Sequence, residues 1–171
     1  MRPHNLPMRQ ATNRGVTLLE LCFGLAIVAL VAGFAAPGFQ ASLRAAAVRA
    51  AAFELLAGLE RTRADSIIES RVGTWCAVDV AGNCAAARIA TRAWRAALDG
   101  TAQPAPLLHT LPAGVVVHAS RNPLRFWPDA LAGSTGTLTI CDERGIAAPR
   151  SIVVSQNGRA RIAAAQPRAC S

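Results

Sequence analysis

From Val16 to Ala36 the chain is an almost unbroken apolar run whose only charge is Glu20. About 21 residues at 1.5 Å rise each make roughly 30 Å of helix, the hydrocarbon thickness of a bilayer. The run therefore predicts a membrane helix, with the rest of the chain either delivering it or held in place by it. The flank 1–15 carries Arg2, Arg9 and Arg14 and no acid. By the positive-inside rule that flank stays in the cytoplasm, and everything after the span lies across the membrane. A carboxylate within hydrocarbon costs roughly 2.5 kcal/mol or more, so Glu20 reads as a functional group.

Leader and span removed, roughly 130 residues remain, the size of one compact domain. The chain has 18 basic and 10 acidic residues, a formal charge of +8. Without the three leader arginines the exported part is +5, which suits an anionic partner. Cys22 falls in the apolar run, whereas Cys76, Cys84, Cys141 and Cys170 fall in the part assigned to an oxidising compartment, where disulfides form. Four thiols permit three pairings. A zinc site is the competing reading, but the sequence has no C-x-x-C pair and no His beside these cysteines.

Beyond Pro37, which lacks an N–H and predicts a kink at the membrane exit, the stretch 40–70 is rich in Ala and Leu, has no Pro, and contains only Gly58 as a glycine. Its charges alternate with Leu43, Val48, Phe53, Leu56, Leu59, Ile67 and Ile68, the pattern of an amphipathic helix that packs on something. From Arg71 the chain turns to short β-type runs separated by Gly, Pro, Asn and Asp. Strands are expected near 73–78, 93–98, 114–119, 124–127, 135–141, 150–155 and 159–163, with 100–112, containing Pro104, Pro106 and Pro112, as a loop. Trp75, Trp94, Phe126 and Trp127 lie in strand-like apolar runs and read as core residues rather than base-stacking platforms. His109, placed in a loop, and His118, placed in a strand, have no carboxylate or Cys neighbours and read as structural. No catalytic spacing stands out, so neither enzyme activity nor a cofactor or metal is expected.

The informative soluble stretch is 150–162, Arg-Ser-Ile-Val-Val-Ser-Gln-Asn-Gly-Arg-Ala-Arg-Ile. Asn157-Gly158 between two β-type runs predicts a hairpin with a type I′ turn. Arg159 and Arg161 then follow the turn about 6.6–6.8 Å apart on one side of a strand, a spacing at which two guanidiniums can bridge successive phosphates. After Glu143 the chain holds Arg144, Arg150, Arg159, Arg161 and Arg168 and no acid. Charge alone also fits arginines that solubilise or guard a sheet edge, and a register with Ile152 and Val154 on the arginine face stays open.

The basic leader ending at Gly15, followed by Thr17, Leu18, Leu19, Glu20 and an apolar helix, resembles the signal of type IV pilins and pseudopilins, with Val16 where Phe is usual. That resemblance implies cleavage by prepilin peptidase between Gly15 and Val16, N-methylation of Val16, and a docking role for Glu20 in assembly. An ordinary secretory signal would instead be cut near Ala35 and Ala36. Cys141-Asp-Glu-Arg-Gly, the Arg150 run, Gly158-Arg-Ala-Arg and Cys170 resemble the C-terminal region of the FimT/GspH family of minor pilins, and 54–68 resembles its post-membrane helix. The resemblance is loose between Ala86 and Gly133.

What the resemblance implies is an α+β, type IV pilin-like fold: a leader at 1–15, a transmembrane helix at 16–36, its periplasmic continuation at 37–70, and an antiparallel β domain at 71–171 packed on that helix. It also implies the pairings Cys76 with Cys84 and Cys141 with Cys170. In FimT proteins of transformable bacteria the Gly-Arg-x-Arg motif binds DNA, which falls here on Gly158, Arg159 and Arg161, with Arg150 and Arg144 as helpers. The implied partners are other major and minor pilins, the peptidase, double-stranded DNA, and the inner membrane before incorporation into a pilus. GspH-like pseudopilins of type II secretion, which only assemble, are the alternative.

Overall fold

The structure is a computed structural model that describes residues 17–100, 108–129, 132–165 and Cys170. Gly15, Val16, the leader arginines, Pro104, Pro106 and Arg168 lie outside the described residues. One helix, α1, runs over Leu18–Ile68. Two compact units, Met1–Phe39 and Gln40–Ser171, divide the chain.

In the first unit α1 opens with a cap. The Thr17 hydroxyl accepts the Glu20 N–H at 3.2 Å, and the Thr17 carbonyl accepts the Leu21 N–H at 3.1 Å. Thr17-x-x-Glu20 is thus the capping-box spacing, and Glu20 sits in the first turn, where the helix dipole favours a carboxylate. Large apolar residues from Leu18 to Phe34 are exposed all round the helix, as on a segment with no core of its own. Among the described residues no single helix is long and apolar enough to cross a membrane; Leu18–Phe34 and Gly38–Ile68 pass that test only as a pair, by length and composition. Leu18–Phe34 alone makes roughly 25 Å of helix, short of a full hydrocarbon core.

In the second unit the helix buries one stripe: Val48, Ala51, Ala52, Leu55, Leu59, Thr62 and Ser66, at spacings of three and four. Among the described residues nine strands follow: β1 Gly73–Val78, β2 Ala90–Thr91, β3 Ala93–Leu98, β4 His109–Thr110, β5 Val115–Ala119, β6 Leu124–Phe126, β7 Gly136–Asp142, β8 Arg150–Val154 and β9 Ala160–Ala164. They form two antiparallel sheets, ordered β4-β3-β1-β6 and β2-β5-β7-β8-β9. The seven expected strands are present. The two-residue strands β2 and β4 were not foreseeable, because two residues show no alternation; β4 also takes His109 out of the expected loop.

The inner faces of both sheets meet the helix stripe in one core that includes Trp75, Ala77, Trp94, Leu124, Phe126, Leu138, Ile140, Ile152 and Val154. Full burial of each large apolar side chain is worth about 1.5–3 kcal/mol. Trp94 lies between Trp75, at a 5.9 Å centroid distance, and His109, at 4.2 Å, and its Nε1–H donates to Glu54 Oε1 at 3.3 Å. Only a glycine fits beneath it: a Cβ on Gly58 would lie 2.4 Å from Trp94 Cη2. Alanine gains about 1 kcal/mol of helix propensity there, but overpacking a fixed ring costs about 1–3 kcal/mol. Gly58→Ala is therefore expected to lower the unfolding free energy measured in urea by a net amount on the order of 1 kcal/mol; a raised unfolding free energy contradicts this packing.

Cys76 is bridged to Cys84 and Cys141 to Cys170, with Cα–Cα distances of 5.5 and 5.8 Å. These are the two pairings the family resemblance implies. Cys22 is free and exposed. Among the described residues no cluster of His, Cys, Asp or Glu is arranged to hold a metal.

Candidate nucleic-acid interface

Strands β8 and β9 form the hairpin, with Val154 opposite Ala160, Val153 opposite Arg161 and Ile152 opposite Ile162. The turn differs from the expected type I′. Gly158 N–H donates to Ser155 O at 2.9 Å, and Gly158 alone in the turn has positive φ, 72°. Gln156 and Asn157 are thus the centre of a type I turn, and Gly158 supplies the left-handed bulge residue of a three-residue loop. Asn157 acts through its side chain, whose Oδ1 accepts the Arg159 N–H at 3.4 Å and also pairs with the Ser155 hydroxyl.

The loop is seated on α1. Gly158 is buried, and a Cβ there would lie 3.1 Å from Phe126 Cδ1 and 3.2 Å from Arg63 Nε. Ala160 N–H, an edge donor, is accepted by Glu60 Oε1 at 2.9 Å. Left without a partner such a donor costs about 1–3 kcal/mol, so the bond also holds the hairpin in position on the helix. Gly158 therefore shapes and packs the turn rather than presenting a surface. Arg63 and Glu60 belong to this locality, yet nothing in the sequence pattern of the hairpin pointed to them; the only signal was their position one turn apart on the amphipathic helix.

The register question is settled by burial. Ile152 and Val154 are 0% and 2% exposed and face the core with their partners Ile162 and Ala160. Arg161, opposite Val153, is on the outer face and exposed, as is Arg159. Neither has a carboxylate partner; among the described residues the ion pairs are Arg61 with Asp65 and Arg92 with Glu143.

The two expected helpers are elsewhere. Arg150 starts β8 at the end of the hairpin away from the turn, across from Ala164, and alternation puts it on the Ile152 face, the other side of the sheet from Arg161. Arg144, in the turn after β7, lines a shallow depression with Gln40, Leu43, Arg44, Ala47 and Ile146. Arg44, beside Arg144, and Arg63, beside Gly158, are separated by roughly 28 Å of helix. The acid-free stretch is thus continuous in sequence but divided in space, and among its described residues only Arg159 and Arg161 stand together.

The class this geometry defines is an α+β pilin-like domain: in the second unit the C-terminal part of a long N-terminal helix packs on antiparallel sheets. The family described as type II transport protein GspH matches residues 51–158, more than half of the chain. The chain belongs to this GspH family of minor pilins and pseudopilins. The crystal structure of the type IV minor pilin FimU of Pseudomonas aeruginosa strain PAO1 in space group P65 matches with a TM-score of 0.52 and 20% identity, over 72% of this chain and 99% of that one. At that identity the likeness concerns the fold. A second FimU crystal form, P21, matches at TM-score 0.49 and 21% identity, over 71% and 90% of the two chains. No curated protein sequence matches the chain. Family membership makes this a minor pilin or pseudopilin, a class of structural subunit that works with other pilins.

Proposed function

We propose that this minor pilin binds extracellular DNA through Arg159 and Arg161 while assembled with other pilins, and so serves DNA capture for natural transformation. The observation that carries the reading is a pair of exposed arginines, one just before and one within the edge strand β9, free of carboxylate partners among the described residues, and seated by the Glu60–Ala160 hydrogen bond. Guanidiniums aimed at phosphates recognise charge and spacing, so the binding is independent of sequence. Arg144 and Arg150 contribute only to the general positive field. Titration of duplex DNA against the chain at several salt concentrations, with and without the pair, is the test. The family's description as a type II transport protein favours a second reading, a pseudopilin that only assembles; it predicts no binding at low salt.

The same reading includes processing and insertion. Prepilin peptidase cuts between Gly15 and Val16, Val16 is N-methylated, and the apolar helix holds the subunit in the inner membrane, N-terminus cytoplasmic and β domain periplasmic, until assembly. The new Val16 ammonium and Glu20 on a neighbouring subunit neutralise each other in hydrocarbon, where an unpaired charge is costly. N-terminal sequencing of membrane-extracted protein is expected to begin at Val16, and Gly15→Arg to leave the leader attached. A start near Pro37 contradicts this. Glu20→Gln is expected to be processed normally yet recovered poorly in sheared pili; normal recovery removes the assembly role and leaves Glu20 as a capping residue.

A further inference from the structure

Of the aromatic residues read as core, one departs. Trp75 and Trp94 are 0% and 4% exposed and Phe126 is 1% exposed, but Trp127 is 38% exposed. It follows β6, whose alternation buries Leu124 and Phe126 and exposes Arg125. Arg125 and Trp127 are thus exposed side chains two residues apart, flanking a buried ring. Their backbone is held: Arg125 N–H donates to Ser134 Oγ at 3.0 Å, Ser134 N–H to Arg125 O at 2.8 Å, and Trp127 N–H to Ala132 O at 3.4 Å.

This strand end abuts the β8–β9 turn. Phe126 is bridged to Gly133, and a Cβ on Gly133 would lie 2.8 Å from Gly158 Cα. The inner faces of both sheets pack on the same helix, so Arg125 and Arg161, on outer faces, point away from it. An arginine with an indole and a pair of arginines therefore flank one junction. Asp129, the one acid in the connecting loop, is turned to its own backbone, with Oδ1 accepting the Ala132 N–H at 3.3 Å.

We propose that Arg125 and Trp127 extend the arginine-pair surface into a site for unpaired nucleotides, so that the protein takes single-stranded DNA in preference to duplex. This rests on the DNA-binding reading of Arg159 and Arg161. In a duplex the base faces are already stacked and only phosphates are offered; an exposed indole gains a partner only from an unstacked base, as on the aromatic platforms of single-strand binders. Arg125 holds the neighbouring phosphate.

Because Trp75 and Trp94 are buried, a bound base reports through Trp127 fluorescence. The full chain in non-ionic detergent is titrated with oligothymidylate and with a duplex of equal length, following both intrinsic fluorescence and anisotropy of labelled DNA. Oligothymidylate is expected to bind more tightly and to quench the emission. Trp127→Leu should abolish most of the quenching and weaken oligothymidylate by roughly tenfold, leaving duplex binding unchanged, while Trp127→Phe restores most of the affinity. A folded Trp127→Leu that binds oligothymidylate as the parent does overturns the proposal. Should the Leu variant lose its fold, Trp127→Phe together with parental quenching decides: no quenching by oligothymidylate overturns it. Duplex binding by the parent without a single-strand preference overturns this site and leaves the arginine pair standing. Binding of neither ligand overturns both.

Discussion

Cys170→Ala is expected to lower the unfolding free energy of the full chain in non-ionic detergent by about 3.6 kcal/mol, from the loop-closure entropy of a bridge spanning 29 residues. The other bridge spans only 8, and the same relation gives about 2.5 kcal/mol. Cys170 is the side to change, because Cys141 is buried and survives as a small apolar thiol. The bridge encloses β8 and β9 and ties the chain beyond β9 to β7. It closes at the end of the hairpin away from Gly158, while the turn is held separately by Glu60 and Arg63. The loss should therefore appear in stability far more than in DNA binding. Urea unfolding followed by circular dichroism measures it, and a midpoint equal to the parent's contradicts the clamp.

What was legible in the sequence followed from periodicity. The strands near Gly73, Ala93, Gly136 and Arg150 repeat at spacings that can be counted, whereas the helix buries a stripe of Val48, Ala51, Ala52, Leu55, Leu59, Thr62 and Ser66 and leaves Leu43, Phe53, Ile67 and Ile68 of the expected apolar face exposed. The pilin fold and both disulfide pairings came from family likeness rather than from spacing, since four thiols by themselves leave three pairings open. Asn-Gly fits two loop lengths, and with Val154 opposite Ala160 the three-residue loop formed here needs only Gly158 left-handed. Trp127 was assigned to the core because it follows an apolar strand, but Leu124 and Phe126 already occupy the inward positions, leaving alternate residues outside. The Thr17 cap belongs to the start of a helix, a boundary that a continuous apolar run does not mark.

The candidate site shows the same division between local and non-local information. Arg159 and Arg161 are two residues apart, so their common side follows from strand geometry. Arg144 and Arg150 looked like members of the same group because no acid intervenes, yet β8 carries the chain from one end of the sheet to the other. Grouping by sequence distance fails across a strand. The reverse holds for Arg63, about a hundred residues before the turn and in contact range of Gly158.

The arginine pair makes the most direct demand. Each phosphate contact on duplex DNA contributes a slope of about −0.9 in log affinity against log salt. Two contacts therefore give about −1.8, roughly a tenfold loss of affinity for each fourfold rise in salt. Arg159→Ala with Arg161→Ala should weaken duplexes of unrelated sequence alike and flatten the slope by about that amount. Arg92→Ala is the matched control, since its guanidinium is already ion-paired with Glu143, Nε to Oε1 at 2.8 Å. Long arginine stems also cover apolar surface, so circular dichroism must show the double variant folded. The deciding measurement is the salt dependence of duplex binding by parent and double variant, both full length in non-ionic detergent. A parent that binds at low salt and a folded double variant whose slope is flatter by about 1.8 are the predicted results; equal slopes and affinities in the two, or no binding by the parent, would contradict DNA capture by this surface.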